Sequence, residues 1–223
     1  MNLCFDVDGP IIDVTDRYYR AYLESLKDFD PKKVQILTKE TFWKLKQNRI
    51  TDFEIGIMSN LSIGESTSST ETRRGLTFKS EYLAQDKLFD DVFKTFEYLK
   101  TKNVYFFLVT LRRQSYLSQA VRQFKLDKYL SNERLFSLDD KQKFSNDIQE
   151  KYLMLVNAIN KLDLDPKDTW MVGDSETDVH AGRLARYGKI ISISRGIRSK
   201  EQLGILKPDY LVNNLSEITE FIK

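Results

Sequence analysis

The 223-residue chain has one cysteine, Cys4, and one histidine, His180. A single thiol excludes an internal disulfide and any zinc centre built from a cysteine cluster. A lone imidazole excludes a histidine-based triad with Cys4 unless the fold brings the two together. An excess of charge is also missing: 35 basic residues stand against 33 acidic ones, a formal net charge of +2. The two signs are mixed rather than blocked, which argues against a nucleic-acid partner and leaves room only for a basic pocket that takes a small anion. No apolar stretch reaches membrane-spanning length, and the N-terminus turns acidic at Asp6 without the layout of a signal peptide. A cytoplasmic location with no membrane partner is the resulting expectation. What remains is ordinary globular composition, 41% hydrophobic and 30% charged, with 14 Phe and 11 Tyr. Such a chain can bury a substantial core as one domain, or as a main domain with a smaller companion.

The pattern along the chain divides it. Asn2 to Asp8 reads as a short buried strand closed by Gly9-Pro10. Thr15 to Leu26 reads as a helix, with Tyr18, Tyr19, Tyr22, Leu23 and Leu26 at three- and four-residue intervals. Helical pieces follow at 39–46, 52–60 and 78–86, and the polar stretch Gly64 to Thr70 reads as a mobile loop. From Leu88 onward helix and strand alternate. The continuously apolar run Val104 to Val109 is typical of a parallel-sheet strand, and 169–172, 190–193 and 210–212 read as further strands. Helices are expected at 92–99, 116–124, 151–162 and from Ser216 onward. This alternation predicts an α/β three-layer sandwich with crossover helices on both faces. Residues 1–14 and 88–223 would form its core, with 15–87 inserted as a helical cap.

Carboxylates gather where strands end. Asp6 and Asp8 lie two apart, so a strand would send both side chains the same way, at the carboxyl edge where open α/β sheets place ligands. Two like charges so close are costly unless a cation offsets them, and a hard divalent ion with oxygen ligands, magnesium above all, suits them. The run Gly173-Asp174-Ser175-Glu176-Thr177-Asp178 follows another apolar strand and puts a second acidic pair at its tip. Helix capping explains that run by itself. It does not explain why two separate strands both end in acidic pairs. Thr110 closes the most apolar strand, where a hydroxyl and backbone N–H groups can hold phosphoryl oxygens, or simply cap the next helix.

Together these residues resemble the haloacid dehalogenase superfamily, especially its phosphoglycolate-phosphatase-like branch. The first motif of that superfamily, hhhDxDG, stands here as Leu3-Cys4-Phe5-Asp6-Val7-Asp8-Gly9. Its second appears as Phe106-Phe107-Leu108-Val109-Thr110, and its terminal hhGDSxxD as Met171 to Asp178. The resemblance continues through Ala181-Gly182, Ser194-Arg195-Gly196 and Pro208 to Val212. Pro10 replaces the usual Thr, and no Lys-Pro motif is present. The family's lysine is then one of Lys141, Lys143 and Lys151, with Lys151 preferred for its position ahead of the last acidic strand.

The resemblance implies a Rossmann-like core with a parallel sheet and a magnesium-dependent phosphomonoesterase acting on a small phosphorylated metabolite. It implies Asp6 as nucleophile, forming an aspartyl-phosphate, and Asp8 as the acid and then the base. Magnesium would be held by Asp6, the backbone carbonyl of Asp8, Asp174 and Asp178, directly or through a neighbour. Thr110 and Lys151 would bind the phosphoryl oxygens. A phosphomutase of the same superfamily and a catalytically silent binding protein of the same fold are the competing readings. Cys4, Trp170 and Met171 are expected in the core, and His180 in a surface or packing role. Arg112 and Arg113 are expected either to hold an anionic tail or to lie at a helix start on the surface.

Overall fold

The computed structural model describes residues 1–141 and 146–222. In chain order the elements are β1 (Asn2–Phe5), β2 (Ile12–Asp13), α1 (Thr15–Ser25), α2 (Lys39–Gln47), α3 (Asp52–Met58), α4 (Ile63–Leu76), α5 (Ser80–Leu83) and β3 (Lys87–Leu88). There follow α6 (Val92–Thr101), β4 (Tyr105–Arg113), α7 (Gln114–Gln123), β5 (Leu135–Leu138), α8 (Asp147–Leu162), β6 (Thr169–Gly173), α9 (Glu176–Leu184), β7 (Lys189–Ile193), α10 (Lys200–Ile205) and β8 (Tyr210–Val212). Six strands form a parallel sheet in the order β5-β4-β1-β6-β7-β8. This is the expected α/β class.

The sheet is built by alternation on two buried faces. Leu3, Phe5, Phe106, Leu108 and Val172 point into one apolar cluster, while Cys4, Phe107, Val109 and Met171 point into the other. A strand covered on both sides has no polar period, which is why β1 and β4 read as continuous apolar runs. On the first face Phe5, Phe96 and Phe106 meet with ring centroids 4.7 to 6.3 Å apart. Each such ring contributes about 1.5–3 kcal/mol by leaving water. Because β1 is central and the chain then builds outward on either side of it, the ends of β1, β4 and β6 lie together at a switch point, where open sheets bind ligands.

The helices between β2 and β3 have their own core of Tyr22, Leu26, Phe42, Ile55 and Leu61. Tyr22 stacks on Phe42 at 4.9 Å, and its hydroxyl meets Ser59 Oγ at 2.8 Å. The outgoing and returning chain pair as an antiparallel two-stranded ribbon, Ile12 with Leu88 and Asp13 with Lys87.

The segment expected as a mobile loop at 64–70 is instead the first half of α4. Ser62 and Glu65 form a capping box, with Ser62 Oγ accepting from the Glu65 N–H and the Glu65 carboxylate accepting from the Ser62 N–H at 2.8 Å. The missing apolar period has a physical reason: the buried face of α4 is polar, made of Ser66, Ser69 and Arg73. Ser69 Oγ meets Ser25 Oγ of α1 at 2.9 Å, and Ser66 lies so close to Gly56 that a Cβ there would come within 2.8 Å of its Oγ. Thr67 and Thr70 return their hydroxyls to carbonyls four residues back. The final helix expected from Ser216 is a 3₁₀ segment, Leu215–Phe221, and of the stretch expected at 78–86 only Ser80–Leu83 is α-helical. Ser62→Ala should therefore cost about 1 kcal/mol in denaturant unfolding. Amide exchange should show residues 67–76 protected; rapid exchange throughout that stretch would refute the helix.

Candidate active site

Asp6 stands one residue beyond β1, and its N–H donates to the Val172 carbonyl of β6 at 2.9 Å. That bond carries the strand pairing one step past the formal end and sets the carboxylate at the sheet edge. Asp6 Oδ1 accepts from the Val7 N–H at 2.8 Å and faces Lys151 Nζ at 2.9 Å. Lys151 lies on α8 four residues before Leu155, on the same buried stripe as Ala158 and Ile159, so its side chain is led inward and is only 1% exposed. Its ammonium also lies 3.0 Å from Asp178 Oδ1.

Asp178 has two tasks. It is the third residue of α9, and its Oδ2 accepts from Ser175 Oγ at 2.7 Å and from the N–H groups of Asp174 and Ser175. The capping explanation is thus met, and the other oxygen still turns to Lys151. Gly173 is needed here, because a Cβ would sit 2.2 Å from that of Asp178. Asp174 is buried, and its Oδ2 accepts from the Ile197 N–H at 2.5 Å. Gly9, at φ +93°, and Gly196 leave room for it; a Cβ on either would come within about 2 Å of its carboxylate (2.1 and 1.9 Å).

Asp6, Asp174 and Asp178 each offer an oxygen within 4.8 Å of the others. Burial raises Asp6 to about 7, against the pull of Lys151 and with a further push from Asp178. Burial, Asp178 and Asp6 together raise Asp174 well above the carboxylate range. Lys151 is raised as well, because Asp178 and Asp6 outweigh its own burial. Three clustered carboxylates, two of them paired with one ammonium, offer only oxygen, without sulfur or imidazole, and form a donor set for a hard divalent cation.

Asp8 departs from the expected geometry. Asp6 and Asp8 both lie past the strand end and line one cavity, but their carboxylates take different partners. Asp8 is outside the three-carboxylate cluster; Arg17 Nη2 donates to its Oδ2 at 2.7 Å and Arg112 Nε to its Oδ1 at 2.5 Å. Burial pushes Asp8 up, but Arg112 and Arg17 outweigh it and hold the carboxyl below its usual range. Its side chain keeps 25% exposure, towards a cavity of about 260 Å³ that Asp6, Tyr18, Leu111, Lys151, Asp174 and Arg198 also line.

Thr110 is buried inside β4, which runs on to Arg113, and its hydroxyl accepts from the Arg112 N–H at 3.2 Å. Leu111, not Thr110, lines the cavity. Lys141 is exposed in a turn away from the cluster, and Lys143 lies outside the described residues. Cys4 and Met171 are buried, Trp170 is half-buried and His180 is exposed. Arg112, weighed for a tail or a surface, is buried beside Asp8. Arg17 and Asp86 were not singled out by the motifs. The one local signal for Arg17 is its place four residues before Ala21 and eight before Ser25 on the buried face of α1.

Residues 3–190 match the model of the haloacid dehalogenase-like hydrolase family. Pyrophosphatase PpaX of Bacillus cereus is 21% identical over 96% of this chain and 92% of its own length. A structure described as a predicted phosphatase from Clostridium acetobutylicum covers 99% of this chain and 97% of its own at 21% identity, with a TM-score of 0.72. Another, a predicted phosphoglycolate phosphatase from Haemophilus somnus, covers 100% and 97% at 18% identity, with a TM-score of 0.69. The resemblance drawn from the motifs and the expectation of a phosphatase-type enzyme stand with these matches. With most of its length matched and its carboxylates gathered at the strand ends, the chain belongs to the haloacid dehalogenase-like hydrolase family.

Proposed function

We propose that the chain hydrolyses phosphate monoesters of small metabolites with magnesium, by way of an aspartyl-phosphate on Asp6. The observation that carries this reading is the gathering of Asp6, Asp174 and Asp178 within 4.8 Å of one another at a cavity, with the Lys151 ammonium paired to Asp6 and Asp178. Asp6 Oδ1 is engaged by the Val7 N–H and Lys151, which leaves Oδ2 to attack phosphorus. That oxygen bonds to phosphorus as the ester P–O bond breaks; Asp8, which Arg17 and Arg112 hold ionised in the free protein and which must take up a proton in the substrate complex, passes that proton to the departing oxygen. In the second half, Asp8 takes a proton from water as the water oxygen bonds to phosphorus and the Asp6–phosphorus bond breaks. Asp6, Asp174, Asp178 and the backbone carbonyl of Asp8 would hold magnesium, which supplies neutralisation of the phosphoryl charge. Lys151 would steady the phosphoryl oxygens, and Thr110, which does not line the cavity, would act only through the Arg112 N–H that it accepts from.

Residues 15–87 act in this reading as a cap over a core of 1–14 and 88–223. The paired crossings at β2 and β3, the separate helical core and the presence of Tyr18 in the cavity wall support it. A cap so placed meets the leaving group and excludes water during transfer. Pyrophosphate and phosphoglycolate, named in the relatives, are the first compounds to assay, and sugar phosphates separate hydrolysis from mutase transfer by their products.

Asp6→Asn should remain folded and lose at least about a thousandfold in kcat on any accepted ester. Near-normal turnover by that variant would remove Asp6 as nucleophile. The metal has a pH signature. Between about pH 4 and 7 the folded, cation-free protein holds a proton on Asp6 that the unfolded chain has released. Stability of the cation-free protein should therefore fall as pH rises through that window. Magnesium competes with the same proton, so it should raise Tm more at pH 8 than at pH 5. Asp174→Ala should raise the magnesium concentration needed for half the effect. An equal thermal gain at both pH values, or a titration unchanged by Asp174→Ala, would remove these carboxylates from the metal site.

A further inference from the structure

The carboxylate of Asp8 is held at both ends by different elements. Arg17 Nη2 takes Oδ2 at 2.7 Å, and Arg112 Nε takes Oδ1 at 2.5 Å. Both arginines then reach a second carboxylate, Asp86. Arg112 Nη2 donates to its Oδ2 at 2.5 Å, and Arg17 Nε lies 3.2 Å from its Oδ1. The four groups close a ring of alternating charge. Arg17, Asp86 and Arg112 are 0%, 1% and 2% exposed at the side chain, whereas Asp8 keeps 25% and faces the cavity. The Arg17 guanidinium is further enclosed by the rings of Phe78, 5.3 Å away, and Tyr18, 5.4 Å away.

A ring of this kind is a poor source of stability, because removing four charges from water costs as much as their attraction returns. What it supplies is orientation. Two planar forks, each bonded to one oxygen, leave the Asp8 carboxylate no freedom to rotate. The origin of the members adds a second point. Asp8 and Arg112 belong to the core, beyond β1 and at the end of β4. Arg17 is in the first turn of α1 and Asp86 immediately precedes β3, so each lies beside one strand of the ribbon that joins the insertion to the core.

We infer that Arg17 and Arg112 are positioning residues that aim the Asp8 carboxylate at the leaving-group oxygen, with Asp86 fixing the two arginines. Through Arg17 and Asp86, that aim depends on the insertion being seated. The inference rests on the proposed role of Asp8. In the transfer to Asp6 the proton of Asp8 goes to the oxygen whose bond to phosphorus is breaking, and a misdirected carboxyl loses that transfer.

The test uses leaving groups of different basicity. An alkoxide leaves only as it is protonated, whereas p-nitrophenolate departs without a proton. kcat/KM covers the steps up to formation of the aspartyl-phosphate and so excludes the later activation of water. Arg17→Gln should lower kcat/KM for an alkyl ester such as glycerol phosphate at least tenfold more than for p-nitrophenyl phosphate. Arg17→Lys, which keeps the charge but not the fork, should recover part of that difference. Because Arg17→Gln leaves Asp86 in excess, Arg17→Gln combined with Asp86→Asn is measured beside it; this pair keeps the ring neutral and should show the same selective loss. Equal losses on both esters, or none on either, would overturn the inference and leave a structural ring. A wild-type protein inactive on both esters would overturn the phosphatase reading and this inference with it.

Discussion

The Lys151 ammonium lies between Asp6 and Asp178, 2.9 and 3.0 Å from their oxygens, with almost no access to water. Those two carboxylates reach the same point from different places, one past the end of β1 and one from the first turn of α9. Without a cation between them, their burial together with Asp174 would be prohibitive. The position of Lys151 follows from packing. Leu155, Ala158 and Ile159 press α8 against the sheet face formed by Phe107, Val109 and Met171, and the lysine is carried inward by the same helical stripe. The chemistry of the site and the second hydrophobic cluster are therefore parts of one arrangement. A shift of α8 by one residue would turn the ammonium by about 100° and leave two buried carboxylates facing each other.

Much of this was legible beforehand because it follows from local rules. Val104 to Val109 had to be an interior strand, since no face of it is polar. The acidic pairs stood out because each follows such a strand directly. Lys151 could be preferred from its place on a helix ahead of the last acidic strand. What escaped has a common physical character. Arg17 and Asp86 meet Asp8 only through tertiary contact, and a buried ion pair leaves no periodic mark. The helix α4 was read as a loop because its packing face is serine and glycine-facing rather than apolar. Here the rule that helices show an apolar stripe fails, since close approach of α3 and α4 is bought by small side chains. Strand β5 escaped because Ser137 interrupts its short apolar run. The different partners of Asp6 and Asp8 escaped because the alternation of a strand stops at Phe5, before either residue.

The two ion networks differ in kind and share a wall. Around Lys151 there are more carboxylates than cations, a deficit that a divalent ion fits. Around Asp8 the charges are balanced, and Arg17, Arg112 and Asp86 leave little for a further ion to do. Asp8 lines the cavity at the meeting point of these surroundings. Asp6, two positions before it, and Gly9, next to it, belong to the other network, Gly9 by making room for Asp174. Between positions 6 and 9 the two carboxylates and the glycine are thus each set by a different neighbour, Lys151 for Asp6, the two arginines for Asp8 and Asp174 for Gly9.

The ribbon of β2 and β3 brings the outgoing and returning chain side by side, Ile12 against Leu88. Because the two ends meet, the length and content of the helical segment between them are free to change without moving any strand of the six-stranded sheet. The cost of closing a longer or shorter loop grows only as the logarithm of its length. Architecturally the ribbon is a graft point. Any segment grafted there would have to return an arginine and an aspartate to the two sides of the seam to keep the ring around Asp8 closed.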